Sequence, residues 1–179
     1  YSQYLEALAL SDLRLEYYDG DIFAMAGGTP EHGMLAAGLI TLIGKQLSPA
    51  CRVMTSDVKV RVLATGLSTF PDLSVVCGAL ERAPDDQNCV TNPRLLVEVL
   101  SPSTEDYDRG EKLSQYKQLP SLKTVLLVSH DAKRITVVTR TAEGWAAREA
   151  RDGERIVVES PPLDIAVRES GWAATAACP

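Results

Sequence analysis

Two apolar stretches, FPDLSVV (residues 70–76) and LLVEVL (residues 95–100), each carry one carboxylate, Asp72 and Glu98. Both are predicted to be buried strands, because valine and leucine dominate them and glycine or proline bounds them. Strands of this kind rarely carry an unpaired carboxylate, since desolvating the charge costs several kcal/mol. The pattern therefore predicts a cation between two neighbouring strands. Mg²⁺ and Mn²⁺ prefer such oxygen ligands, and the backbone carbonyl of Val99 would be a third.

A lysine on the next predicted helix, Lys112, would add a positive charge to the same site. Asp108, Lys112 and Tyr116 are spaced four apart and share a helix face. If that face covers the C-terminal end of the strand at 94–100, the ammonium reaches the carboxylates. The simpler alternative is that Lys112 only pairs with Asp108, a contact worth roughly 0.2–0.5 kcal/mol. Tyr116 is expected to be a packing residue.

The N-terminal part of the chain predicts a β-hairpin followed by a helix. Asp19-Gly20 separates apolar runs at 13–18 and 21–26, which is a strong signal for a two-residue turn. Gly27-Gly28 then ends the strand pattern. Thr29 is expected to cap a helix that has Pro30 at its first position and extends to about residue 47.

The rest of the chain predicts an α/β fold. A second helix is expected at about 103–119, and residues 78–93 are expected to form a polar loop. The expected strands cover 51–55, 58–63, 71–77, 94–100, 123–129, 134–140, 145–150 and 155–158, and the segment 161–167 packs on them. This order predicts a mixed β-sheet flanked by helices, with an N-terminal β-hairpin. One domain spanning 1–179, with its core at about 13–168, fits this length.

Composition and charge restrict the classes of function. The net charge of −6 argues against an obligate electrostatic binder of nucleic acid, although residues 94–140 carry 8 basic and 6 acidic side chains. No apolar run is long enough for a membrane span, and the first residues lack the basic start and apolar stretch of a signal peptide. The chain begins without Met, so we expect disordered or removed residues before Tyr1. We expect a cytoplasmic protein.

The four cysteines, Cys51, Cys77, Cys89 and Cys178, show neither a CxxC pair nor the spacing of a zinc site. Cys51 and Cys77 fall on predicted strands and are expected to be small core residues. Without a sign of secretion, no disulfide framework is expected.

Several further segments occur in the order that is found in one known family. They are YYDGDI (17–22), MAGGTPEH (25–32), SDV (56–58), PDLSVV (71–76), EVLSPST (98–104) and DRGEKL (108–113). In this order and spacing the chain resembles the Uma2 family, whose members are classed as restriction-type endonucleases of the PD-(D/E)xK superfamily. The resemblance covers about 13–168. It implies a restriction-endonuclease-like fold and a Mg²⁺- or Mn²⁺-dependent endodeoxyribonuclease that acts on DNA.

The resemblance also implies roles for individual residues. Asp72 and Glu98 would hold the metal, and Glu16 would add a carboxylate to the second shell or to a second metal. His32 would contact the scissile phosphate or orient a ligand. The general nuclease motif has its lysine two residues after the acid, where this chain has Leu100. In the family the lysine comes from the following helix, a role that Lys112 fits, and it would orient or deprotonate water.

Gly33 is a second departure, because relatives often carry a polar residue such as asparagine there. By analogy with enzymes that cut both DNA strands, a homodimer is expected.

Three other interpretations remain open. The domain could be a catalytically inactive descendant of the nuclease fold that binds nucleic acid or a protein. It could instead hydrolyse a small phosphorylated molecule, or serve as an oligomer-forming module of a larger system.

Overall fold

This computed structural model describes residues 1–25 and 27–172, which form groups of consecutive strands separated by helices. In chain order they are α1 (Ser2–Leu10), β1 (Leu15–Tyr18), β2 (Asp21–Ala24), α2 (Pro30–Gly44), β3 (Cys51–Thr55), β4 (Lys59–Arg61), β5 (Ser68–Thr69), β6 (Leu73–Cys77), β7 (Cys89–Val90), β8 (Leu95–Val99), α3 (Glu105–Tyr107), a π-helical turn (Asp108–Lys112), α4 (Leu113–Tyr116), β9 (Thr124–Val128), β10 (Arg134–Thr141), β11 (Gly144–Arg151), β12 (Arg155–Glu159), β13 (Pro162–Ala166) and a 3₁₀ turn (Val167–Glu169).

The central sheet has six strands in the order β11-β10-β9-β8-β6-β3. Strand β8 pairs parallel with β9 and antiparallel with β6, so the sheet is mixed. Helix α2 and the β12–β13 hairpin pack on one face, where Val97 and Val99 of β8 are buried. The segment from α4 to Leu122 packs on the other face, against Leu96 and Leu100. The predicted fold class, a mixed sheet flanked by helices, is confirmed.

A second sheet of five strands, in the order β2-β1-β5-β4-β7, carries the N-terminal hairpin. The hairpin turn lies at Asp19-Gly20 as predicted, with φ angles of 49° and 98°. The left-handed region that both residues occupy is typical of the two-residue turns that glycine and aspartate favour. Val60, Val62 and Leu67 join this sheet to the core beneath α4.

Helix α2 begins where the sequence predicts. The hydroxyl of Thr29 accepts a hydrogen bond from the backbone N–H of His32 (3.3 Å), and Pro30 occupies the first turn. Leu35, Leu39 and Ile43 form its buried stripe. The helix ends at Gly44, a few residues before the predicted end.

Several element boundaries differ from the predictions. Helix α1 was not expected, because its amphipathic pattern is weak and Tyr4 is its one buried residue. The predicted loop at 78–93 contains β7, which pairs parallel with β4, and the segment at 161–167 contains β13, which pairs with β12. The predicted helix at 103–119 is interrupted by the π-helical turn. Ala26, at the end of the second predicted strand, lies outside the described residues.

The expectation for two cysteines is wrong. Cys51 and Cys77 are directly opposite each other in the antiparallel β3–β6 pair, and their sulfurs are joined in a disulfide with S–S 1.99 Å. Composition gave no sign of this pairing, because the register that brings the two residues together depends on the whole sheet. Cys89 is a buried free thiol, and Cys178 lies outside the described residues.

Among the described helices, none has the length and apolar character needed to cross a membrane.

Candidate active site

The two strand carboxylates that define the sequence pattern lie next to each other. Asp72 immediately precedes β6, and Leu73 is the register partner of Val97, so Asp72 is level with Glu98 on the neighbouring strand. The carboxylate of Asp72 turns towards β8 and accepts the backbone N–H of Val99 (2.7 Å to Oδ2). The antiparallel β6–β8 pair therefore brings both acids to one end of the sheet.

Glu98 is buried, with 4% of its surface exposed, and two groups bind the same carboxylate oxygen. The ammonium of Lys112 lies 3.1 Å from Oε1, and the hydroxyl of Tyr116 donates to Oε1 at 2.5 Å. Among the described residues, no hydrogen bond or ion pair engages the other oxygen, Oε2. One oxygen is thus held by the protein, and the second is available to a ligand.

Lys112 is surrounded by three buried carboxylates. Besides Glu98, its Nζ lies 3.5 Å from Glu16 Oε1 and 3.5 Å from Asp108 Oδ1. Glu16 comes from β1 and is held by the hydroxyl of Thr69 and by the backbone N–H of Phe70. We call Glu16, Glu98, Asp108 and Lys112 the lysine cluster.

The π-helical turn contributes two members of the lysine cluster. Asp108 and Lys112 are its first and last residues, and both are buried. Both side chains point inward, where Lys112 contacts Glu98 and Asp108 contacts Lys112. Such turns inside helices are frequent at functional sites.

The charges of the cluster do not cancel, since three carboxylates surround one ammonium. Burial, with the nearby carboxylates of Asp72 and Asp108, raises the pKa of Glu98 to about 8 against the opposing effect of Lys112. Burial alone would lower the pKa of Lys112, but the carboxylates and Tyr116 outweigh it and hold the pKa well above its usual value. Lys112 therefore stays protonated, and the cluster as a whole favours additional positive charge.

His32 lies on the open side of the carboxylates. Its Nε2 is 3.2 Å from Asp72 Oδ2, and its side chain is 23% exposed, against 5% for those of Glu98 and Lys112. The hydrogen bond to Asp72 raises the pKa of His32, although burial opposes the shift, and the backbone of Val99 adds to it. The imidazole is thus a partly exposed group beside a buried anionic site, and its raised pKa favours the cationic form.

The described residues contain no group of three or more histidine, cysteine or acidic side chains arranged to hold a metal ion. The predicted metal site asks for only two carboxylates and the carbonyl of Val99. Mg²⁺ commonly keeps several waters and binds through one or two carboxylates. Asp72 and Glu98, side by side and each with an oxygen outside the hydrogen bonds described above, fit a hard divalent cation of this kind.

The structure brings together all five side chains that the sequence singled out: Glu16, His32, Asp72, Glu98 and Lys112. Two members of the site were undervalued at the sequence level. Asp108 was treated as a simple partner of Lys112, and Tyr116 as a packing residue. The signal was present, because both are four residues from Lys112 on one helix face, but the contact between Tyr116 and Glu98 depends on the packing of that helix on the sheet.

Comparisons with known proteins agree with this fold. The family model of Uma2, described as "Putative restriction endonuclease", matches residues 1–168. Two curated relatives are uncharacterized proteins of Synechocystis sp., slr1290 and sll1609. The first is 38% identical over 154 residues (85% of this chain, 80% of the relative). The second is 26% identical over 135 residues (75% and 76%).

A solved structure from Anabaena variabilis, described as a "putative nuclease belonging to DUF820", superposes on this chain with a TM-score of 0.70. It covers 89% of this chain and 90% of its own, at 16% sequence identity. At that identity the likeness demonstrates a shared fold.

Proposed function

This chain belongs to the Uma2 family, and we propose that it is a metal-dependent endonuclease that hydrolyses DNA phosphodiester bonds. One observation carries the proposal. Asp72 and Glu98 lie level on neighbouring strands, and Glu98 is one of the three buried carboxylates that surround the ammonium of Lys112. A bound divalent cation would offset this excess negative charge.

Asp72 and Glu98 would hold Mg²⁺ or Mn²⁺, with the carbonyl of Val99 as a third ligand. When bound, such a cation polarises a phosphate oxygen and activates water for attack. The contacts of Lys112 and Tyr116 with Oε1 of Glu98 support this assignment, because they fix the carboxylate and leave Oε2 outside the hydrogen bonds and ion pairs of the described residues.

Lys112 would orient the attacking water and stabilise the negative charge that develops on the phosphate. Its ammonium is fixed by Glu16, Glu98 and Asp108, so little rearrangement is needed during the reaction. Its raised pKa favours these roles over removal of a proton from water. Glu16 would set the position of the ammonium from the second sheet.

His32 would contact the scissile phosphate. It is the most exposed of the five side chains and carries an N–H group at the mouth of the site, where an anionic backbone must approach. When protonated, the ring would offset part of the repulsion between the DNA and the buried carboxylates.

The test is cleavage of supercoiled plasmid and single-stranded DNA with Mg²⁺ or Mn²⁺. Wild type is compared with Glu98→Gln, Lys112→Ala and, as a matched control, Glu159→Gln, which changes an exposed acid on β12. We expect wild type and the control to cut alike, and the two site variants to lose at least about 100-fold in rate. Cleavage that persists in both site variants would contradict the proposed site.

Calorimetry with Mn²⁺ separates metal binding from cleavage. Wild type is expected to bind the ion, and an Asp72→Ala, Glu98→Ala double variant is expected to lose binding. Metal binding without cleavage of DNA would favour the inactive binding module, and turnover of small phosphodiesters in its place would favour a small-molecule hydrolase.

We also propose a cytoplasmic homodimer, since an enzyme that cuts both strands of a duplex needs two sites in opposite orientations. Light scattering coupled to size exclusion gives the mass in solution directly. A monomer at micromolar concentration, in the presence and absence of DNA, would contradict the dimer.

A further inference from the structure

The loop before α2 contains two adjacent glycines in very different surroundings. A Cβ atom built on Gly28 would lie 3.2 Å from Cγ and 2.9 Å from Nδ1 of His32, and the second distance is closer than such atoms approach in real proteins. A Cβ atom built on Gly27 would have nothing within 4 Å. The imidazole of His32 therefore rests directly on the backbone at residue 28.

Backbone conformation does not explain the glycine at position 28. Neither Gly27 nor Gly28 has the positive φ angle that favours glycine, in contrast to Gly20 of the hairpin turn, where φ is 98°. Alanine can thus adopt the backbone geometry at both positions. What a methyl group at residue 28 would disturb is the ring of His32.

The ring has few other places where it can make the same contact. Its backbone is fixed by the N-cap bond from its own N–H to Thr29, and its Nε2 must reach Asp72 across 3.2 Å. A methyl group against Nδ1 pushes the opposite edge of the ring, and with it Nε2, away from its position. A hydrogen bond already at 3.2 Å weakens steeply when it lengthens or tilts.

We propose that Gly28 is a positioning residue, which leaves space for the imidazole of His32 to lie with its Nε2 against Asp72 at the proposed metal site. This rests on the proposed function for its catalytic consequence. The placement of the ring itself can be tested whether or not the protein cuts DNA.

The experiment compares Gly28→Ala with Gly27→Ala, a matched pair that adds one methyl group at neighbouring positions of the same loop. The chain has two histidines, so its imidazole NMR spectrum is simple. The signal of His32 is identified by its loss in His32→Gln, and His130 is an internal reference. At a fixed pH, we expect the imidazole ¹⁵N shifts of His32 to change in Gly28→Ala and to stay at wild-type values in Gly27→Ala.

Cleavage is measured in the same variants and in the Gly28→Ala, His32→Gln double variant. The cleavage rate of Gly28→Ala is expected to fall at least about 10-fold. The double variant is expected to be no slower than His32→Gln, because both substitutions disrupt the same contact, that of the imidazole with Asp72. Additive losses in the double variant would overturn the proposal.

Unchanged His32 shifts in Gly28→Ala, or equal changes in the two glycine variants, would also overturn the proposal. If wild type does not cut DNA, the proposed function fails, but the NMR comparison still decides whether Gly28 positions the ring. Thermal unfolding of both alanine variants within the range of wild type establishes that the shifts report the ring and not loss of the fold.

Discussion

The molecule buries two lysines in contrasting ways. Lys59 is 3% exposed and faces one carboxylate, with its Nζ 2.5 Å from Oδ2 of Asp86. Lys112 is 4% exposed and faces three. The first arrangement is electrically balanced, and the second carries excess negative charge.

The carboxylates respond in opposite directions. Burial works to raise the pKa of Asp86, but hydrogen bonds from Lys59 and Tyr1 outweigh it and lower that pKa. Both carboxylate oxygens of Asp86 accept hydrogen bonds: Oδ2 also accepts from the hydroxyl of Tyr1 (2.7 Å), and Oδ1 accepts from the backbone N–H of Asn88 (3.0 Å). At Glu98 burial prevails and the pKa rises to about 8. Counting charges and unused oxygens thus separates a buried ion pair that stabilises the fold from a buried cluster that is suited to bind a cation.

The largest effect on stability is expected at the Lys59–Asp86 ion pair. Asp86→Asn removes the partner of a buried ammonium and should lower the free energy of unfolding by about 3–5 kcal/mol, measured in urea. A Lys59→Met, Asp86→Asn double variant should recover more than half of that loss, because no buried charge is left unpaired. A double variant as unstable as Asp86→Asn would contradict the interpretation of Lys59 and Asp86 as a charge-balanced buried pair.

Glu98→Gln should affect function more than stability. Removing one carboxylate from a cluster with excess negative charge relieves repulsion, so the free energy of unfolding should change by less than about 1 kcal/mol. The rate of DNA cleavage should fall at least about 100-fold, which corresponds to roughly 2.7 kcal/mol. Unfolding in urea and cleavage are measured on one preparation, and a loss of stability as large as that of Asp86→Asn would count against the distinction.

Tyr116→Phe should have a smaller effect on cleavage than Glu98→Gln, and it tests how the carboxylate of Glu98 is held. Losing the hydroxyl leaves Lys112 as the one group among the described residues that contacts Oε1, so the carboxylate gains freedom to rotate. We expect a fall in cleavage rate of about 10-fold and a weaker affinity for Mn²⁺, with about 1–2 kcal/mol lost from the free energy of unfolding. Unchanged Mn²⁺ affinity would indicate that the hydroxyl serves packing alone.

The smallest expected effect is the pH dependence of the stability that the Lys59–Asp86 pair contributes. Because the folded-state pKa of Asp86 is lowered, its charge contributes stability above the unfolded pKa of about 3.9, and this contribution disappears as the pH falls through the folded pKa. The difference in unfolding free energy between wild type and Asp86→Asn should therefore be constant near neutral pH and shrink below about pH 4. A difference that grows on acidification would have the wrong sign.

Much of the fold follows from local signals in the sequence. The turn at Asp19-Gly20 and the cap at Thr29 are determined by neighbouring residues, and the apolar strands β8 and β9 by their composition, so each lies close to its prediction. Strand β7 has two residues and depends on a distant partner strand, and sequence alone gave no sign of it. The assignment of 1–179 as one domain stays a prediction.

The site likewise contains features that local sequence predicts and features that depend on contacts between distant elements. Asp72 and Glu98 are conspicuous in the sequence because a carboxylate within an apolar strand contradicts its surroundings. Three other features depend on how separate elements pack together: the hydrogen bond from Tyr116 to Glu98, the close approach of the His32 ring to Gly28, and the Cys51–Cys77 disulfide. No local rule of composition or spacing gives such contacts.

The origin of Glu16 has a consequence for folding. Its carboxylate comes from the five-stranded sheet and is tied to Thr69, 53 residues away in sequence, while Glu98 belongs to the six-stranded sheet. Contacts between such distant segments form slowly, because the intervening chain must first lose its conformational freedom. The lysine cluster is complete only when both sheets have met, so a refolding chain acquires most of its strands before it acquires its full set of charges around Lys112.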